Sequence, residues 1–161
     1  MKRALILSLL LTGCGGGGDT VACPPIADHL NAINAGRAKQ AQCGPATGPL
    51  SVNGTLQHVA QQHAEYLAST QPDLSGPAIR LHYDSQGRRV QGRLADVGHQ
   101  RFAEEVAAAG INTADEVMSA YKASAGHCPW VMWPDAAEIG LGCAVSKDNR
   151  AYWVHVLGMG P

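Results

Sequence analysis

Three segments of this 161-residue chain carry side chains that can do chemistry at close spacing. Ser124-Ala-Gly-His127-Cys-Pro-Trp-Val-Met132 presents an imidazole, Ala137-Glu138-Ile-Gly-Leu-Gly142 follows it with a carboxylate, and Tyr152-Trp153-Val-His-Val-Leu-Gly158 comes close to the end of the chain. A neutral imidazole is a borderline-soft ligand suited to zinc, and a carboxylate can orient the second ring nitrogen or a bound water. Nucleophilic catalysis is disfavoured. Ser124 precedes His127 by three residues, but no Gly-x-Ser-x-Gly elbow exists to expose it, and the cysteines are better used as disulfides. The other histidines offer less. His58 and His63 are five apart, where a shared helix face needs three or four. His63 lies on an apolar stripe and reads as a core residue, His155 sits on a strand where it can face solvent, and His29 and His99 show no partner. Arg88, Arg89 and Arg93 read as a solvated loop surface.

One domain must position these groups, since 161 residues do not comfortably make two. With 45% hydrophobic but 5% aromatic residues the chain can bury a core built mostly of Ala, Leu and Val, which excludes a disordered protein. A net charge of -1 without a basic block argues against nucleic acid as a partner. Pro24-Pro25 can open a helix with Ile26, Leu30 and Ile33 on one face, ending at Gly44-Pro45 after Cys43. Asn53 is the expected N-cap of a second helix through Leu56, Val59, Ala60, His63, Ala64 and Leu67 up to Pro72. A long polar loop spans Asp73 to Gly92, followed by a short helix from Arg93 to Val97. Thr113-Ala-Asp-Glu116 has the capping-box pattern of a third long helix. The period then changes: Ile139, Leu141, Cys143 and Val145 alternate, Lys147 to Arg150 is a polar turn, and Tyr152 to Leu157 is a strand. Helices first and a hairpin last predict an α+β fold.

The three segments of the opening paragraph occur in the order found in the CAP superfamily of SCP-like domains, which includes cysteine-rich secretory proteins, venom antigens and plant pathogenesis-related proteins. The chain resembles that family from Asp28 to Gly158, with Leu30-Asn-Ala-Ile-Asn34-x-x-Arg37 similar to its first helix and His63-Ala-Glu to its second. The resemblance implies a three-layer αβα sandwich around a mostly antiparallel sheet. It also implies a cleft of two histidines and two glutamates, here His82, Glu104, His127 and Glu138, with Glu105 as the alternative to Glu104. His82 and His127 are the expected metal ligands, zinc the expected ion. The implied function is non-catalytic binding of a divalent metal and an envelope or extracellular ligand; the alternative is a metal-assisted hydrolase of peptide or cell-wall material, with Glu104 or Glu138 as general base.

Met1-Lys2-Arg3 and the apolar run to Gly13, too short to span a bilayer, read as a signal segment over residues 1–13. Leu11-Thr-Gly-Cys14 resembles the lipobox of bacterial lipoproteins, so Cys14 is the expected lipidated N-terminus. Residues 14–23 are then a Gly-rich tether and 24–161 the domain. Removing Lys2 and Arg3 takes the net charge from -1 to -3. Gly15 in place of Asp favours the outer membrane of the bacterial cell envelope, with the lipid tying the protein to that membrane. Cys23, Cys43, Cys128 and Cys143 remain, an even set in an oxidising compartment, so two disulfides are expected. Local pairing, Cys23 with Cys43 and Cys128 with Cys143, is the preferred of three connectivities. Zinc binding by thiolates is the rival reading, but no Cys-x-x-Cys pair exists.

Overall fold

A computed structural model of the chain describes residues 20–75 and 78–160, with backbone only for Ala78 and Ile79. The signal segment, Cys14 and most of the tether lie outside the described residues. In chain order the elements are α1 (Ile26–Arg37), β1 (Ser51–Val52), α2 (Gly54–Thr70), a 3-10 turn (Ala78–His82), α3 (Val90–Asp96), β2 (Ala103–Ala109), α4 (Ala114–Ala123), α5 (Cys128–Val131), β3 (Ala136–Val145) and β4 (Ala151–Met159). The cap signals of α2 and α4 hold, whereas α3 starts at Val90, inside the expected loop, and not at Arg93. Asn53 Oδ1 accepts from the amides of Thr55 and Leu56, and Thr113 with Glu116 forms the reciprocal capping box.

The sheet order is β1-β3-β4-β2, with β3–β4 and β4–β2 antiparallel and β1 parallel to β3. Alternation along β4 divides the core into two layers. Tyr152, Val154 and Val156 face α2 and α3 with Leu56, Val59 and Leu67, while Trp153 and Leu157 face α1, α4 and α5 with Ile33, Val117 and Met118. This is the αβα sandwich. The closest helix–sheet contact is α2 on β3, where a Cβ on Gly140 or Gly142 would overlap the backbone carbonyl of Leu56 or Ala60. The glycines of the Glu-Ile-Gly-Leu-Gly segment therefore serve packing. In the space they leave, Gln57 and Gln61 bracket the strand: each side-chain amide donates to a β3 carbonyl, Leu141 or Cys143, and accepts from the same residue's N–H. They satisfy backbone groups of β3 beyond its short pairing with β1.

Three expectations change on the side of α1 and the sheet, and one strand enters that the sequence did not mark. The first helix ends at Arg37, not after Cys43, because the Arg37 guanidinium is buried and donates to the carbonyls of Gly48, Val131 and Trp133. Lys122 of α4 then donates to the Gly36 and Lys39 carbonyls at that helix end, where the dipole favours a cation. Ala103–Ala109 is a strand, although its alanines carry little strand propensity. The disulfides join Cys23 to Cys143 and Cys43 to Cys128, not neighbours in sequence. Arg37 ties the loop after α1 to α5, which sets Cys43 against Cys128, and Val21 donates to Asn149 at the β3–β4 turn, which lays the entering chain beside Cys143. Finally, His155 does not face solvent. It is fully buried, with its Nε2 2.7 Å from Nε2 of His29 and its Nδ1 3.1 Å from the Tyr121 hydroxyl.

Candidate functional site

β2 is an edge strand, and its alternation sends Glu104 and Glu105 to opposite faces of the sheet. Glu105 goes to the α2 and α3 side and is buried. There it accepts from His82 Nδ1 at 3.0 Å and forms a buried ion pair with Arg93, whose other donors reach the carbonyls of His82 and Arg88. Arg93 is thus an internal cation and not part of a solvated loop surface. A carboxylate only accepts, so His82 carries its proton on Nδ1 and leaves Nε2 as the lone-pair nitrogen. His127, just before α5, stands opposite. Its ring centroid is 6.3 Å from that of His82, and its ring lies edge-on to Tyr121 at 5.3 Å. Burial first, and the nearby His82 second, lower the His127 pKa below its ordinary 6.5, so at neutral pH this imidazole is uncharged.

The two imidazoles, Glu104, Glu105 and Trp130 line one cleft of about 220 Å³. His127 also lines a second, largely apolar recess of about 250 Å³ with Leu81, Ala107, Ala108 and Tyr121. Glu138 is elsewhere. Strand alternation puts it on the face of Gly140 and Gly142, with β4 between it and β2, and there it accepts from Asn53 Nδ2 at 3.1 Å and pairs with Arg101 at 3.0 Å. The carboxylate that the structure places behind His82 is Glu105, with Glu104 on the opposite face but still at the cleft.

The donor set suits an open, two-imidazole site. Among the described residues no three of His, Cys, Asp and Glu converge as a ready ligand group. The His82–His127 centroids stand about 1 Å further apart than they would on one tetrahedral zinc with bonds of about 2.0 Å. Glu105 is committed to His82 and Arg93, the usual place of a carboxylate behind a ligating histidine.

The sequence profile described as "CAP: Cysteine-rich secretory protein family" matches residues 30–157, most of the chain. The chain belongs to this family. Among solved structures this CAP domain is similar to an outer surface protein from Borrelia burgdorferi, with a TM-score of 0.66 at 18% identity over 88% of this chain and 99% of that one. It is also similar to a cysteine-rich secretory protein from Staphylococcus aureus, with a TM-score of 0.56 at 15% identity over 83% of this chain and 39% of that one. A third is NaASP2, solved with Zn2+, with a TM-score of 0.50 at 12% identity over 89% and 83% of the two chains. At these identities the likeness is one of fold. No curated protein sequence matches the chain.

Arg93 and His63 are the members of this side-chain cluster that the sequence did not announce. His63 lies 4.0 Å from Glu105 and its Nε2 is 2.8 Å from the Leu81 carbonyl, so the core histidine of α2 supports the turn that carries His82. Its place on an apolar stripe announced its burial but not its neighbours.

Proposed function

We propose that this CAP domain is exported, held to the bacterial cell envelope by a lipid on Cys14, and binds without catalysis. Its cleft of His82, Glu105 and His127, with Glu104 at the rim, takes a divalent ion such as zinc together with an envelope or extracellular ligand. The observation that carries this reading is the pair of imidazoles lining one cleft, with Glu105 behind His82. His127 borders both the polar cleft and the apolar recess, which suits a ligand with a polar group at the histidines and an apolar body beside them. A bound ion would supply a Lewis-acid contact for that polar group. The hydrolase alternative needs a carboxylate base, and Glu138 is held by Arg101 across β4, which leaves Glu104 at the cleft rim for that role; zinc-dependent turnover lost in Glu104→Gln would replace the binding reading.

Zinc should bind weakly and with a pH dependence of known sign, because imidazoles coordinate only when neutral. Isothermal titration of the purified domain should show zinc affinity lower at pH 5.5 than at pH 7, since protons compete with the ion for imidazole nitrogen. His82→Ala and His127→Ala should each abolish it. Equal affinity at both pH values, or an unchanged His82→Ala isotherm, would show the pair to be structural.

The anchor has its own test. Cys14→Ser should leave the precursor unprocessed and move the protein out of the membrane fraction. If the variant is cleaved and fractionates like the parent, an ordinary signal peptidase cuts this chain.

A further inference from the structure

A second cleft, of about 210 Å³, opens between α2 and α3 and shares no lining residue with the histidine cleft. It contains two anomalies. His63 Nδ1 and Arg93 Nε are buried nitrogens with no hydrogen-bond partner among the described residues, and both side chains line this cleft. His63 and Arg93 are 2% and 9% exposed, so the cleft they line, not the outer surface, is where a partner for either nitrogen would come from. Their chemistry is opposite. The Leu81 carbonyl can only accept, so the His63 proton is on Nε2 and Nδ1 is an empty acceptor; burial lowers the His63 pKa and keeps the ring in that neutral form. Arg93 Nε–H is an empty donor, its terminal nitrogens being spent on Glu105, His82 and Arg88.

The charges at the cleft select among ligands. Arg88 is paired with both Asp84 and Asp96, and Arg93 with Glu105. A cation would face two guanidiniums, an anion would face Asp84 and Asp96, and an apolar group would leave both orphans unpaired. A hydroxyl donates to one and accepts from the other. The volume is several times the roughly 30 Å³ of one water, and Tyr66 adds a half-buried aromatic wall beside His63, at 5.8 Å between ring centroids and 16° between planes. We propose that the cleft between α2 and α3 is a binding site for a neutral polyhydroxylated ring of monosaccharide size, with one hydroxyl bridging His63 Nδ1 and Arg93 Nε.

Three sugars of one size and different charge test this: glucose, glucuronate and glucosamine, titrated at millimolar concentration into the disulfide-bonded domain. Imidazole nitrogen resonances are read by long-range proton–nitrogen correlation. Glucose should saturate and move the His63 Nδ1 resonance toward that of a hydrogen-bonded acceptor, while glucuronate and glucosamine bind at least about tenfold more weakly. His63→Gln keeps a donor for Leu81 but moves the acceptor away from the Nδ1 position, and should weaken glucose about tenfold. Val97→Trp, at an exposed position lining the cleft, closes the mouth without touching the core and should abolish binding. The proposal is overturned if glucose does not saturate, in which case the cleft holds water only. It is overturned equally if glucuronate or glucosamine binds as well as glucose, or if Val97→Trp binds glucose unchanged.

Discussion

Removing the Cys43–Cys128 bridge by a double change to Ser is expected to lower unfolding stability by about 4–5 kcal/mol, and full reduction of both bridges to leave the domain largely unfolded at 37 °C. The magnitude follows from connectivity. The bridges span separations of 85 and 120 residues, and in the chain-entropy model closing loops of that length removes about 4–5 kcal/mol each from the unfolded state. That compares with a typical total of about 5–15 kcal/mol for a whole domain. The local pairing anticipated from sequence would close much shorter loops and give about 3 kcal/mol each. Urea titration of the double variant measures the loss, and non-reducing peptide mapping identifies the pairs. A loss below about 2 kcal/mol would overturn the stability estimate, and Cys23 mapped to Cys43 would show that the long-range connectivity is wrong.

The second large effect is on acid stability, and it comes from the buried histidine pair. His29 and His155 are 1% and 0% exposed, packed between α1 and β4 with one nitrogen contact of 2.7 Å between them. Burial lowers the His29 pKa from 6.5 to about 4. Burial first, and His29 second, push His155 well below 6.5. Both folded-state values lie below the unfolded one, so the unfolded chain binds more protons in acid. The contribution is fully present above about pH 6.5 and is lost as the pH falls from there toward 4. His29 alone, with its pKa lowered from 6.5 to about 4, accounts for about 3 kcal/mol over that window. His63 and His127 are lowered as well and act in the same direction. The pair is isolated by comparing the parent with a His29→Leu, His155→Val double variant in urea at pH 7 and pH 4.5. The parent should lose more stability than the variant by about 2–3 kcal/mol; parallel losses would show that the pair does not titrate within this window.

How the chain organises itself was legible wherever the signal was local. Caps at Asn53 and Thr113 depend on a side chain reaching amides two or three residues on, and the β3–β4 hairpin depends on two-residue alternation around a polar turn. Both are short-range rules, and the elements they marked implied an α+β fold; the sandwich came from the family resemblance. β2 was missed because the alanine-rich Ala103–Ala109 has no strand signature of its own; it is extended because β4 beside it offers a full antiparallel ladder.

The cleft divides in the same way. Sequence motifs named His82 and His127, but which carboxylate stands behind them depends on whether a residue is odd or even along β2 and β3. One step of register turns a side chain to the other face of the sheet, so Glu105 meets His82 while Glu138 turns toward Asn53 and Arg101. Cysteine pairing likewise depends on which loops the buried Arg37 and the entering chain bring together, and the His29–His155 contact joins residues 126 apart. The sequence by itself determined the caps and the hairpin, because each is written in residues a few positions apart, while the layered fold and the two cleft histidines came from the likeness of its motifs to those of the CAP family. Only the tertiary structure decided the disulfides, the carboxylate, the buried histidine pair and the polar cleft between α2 and α3, because each is a meeting of side chains whose separation along the chain carries no record of their separation in space.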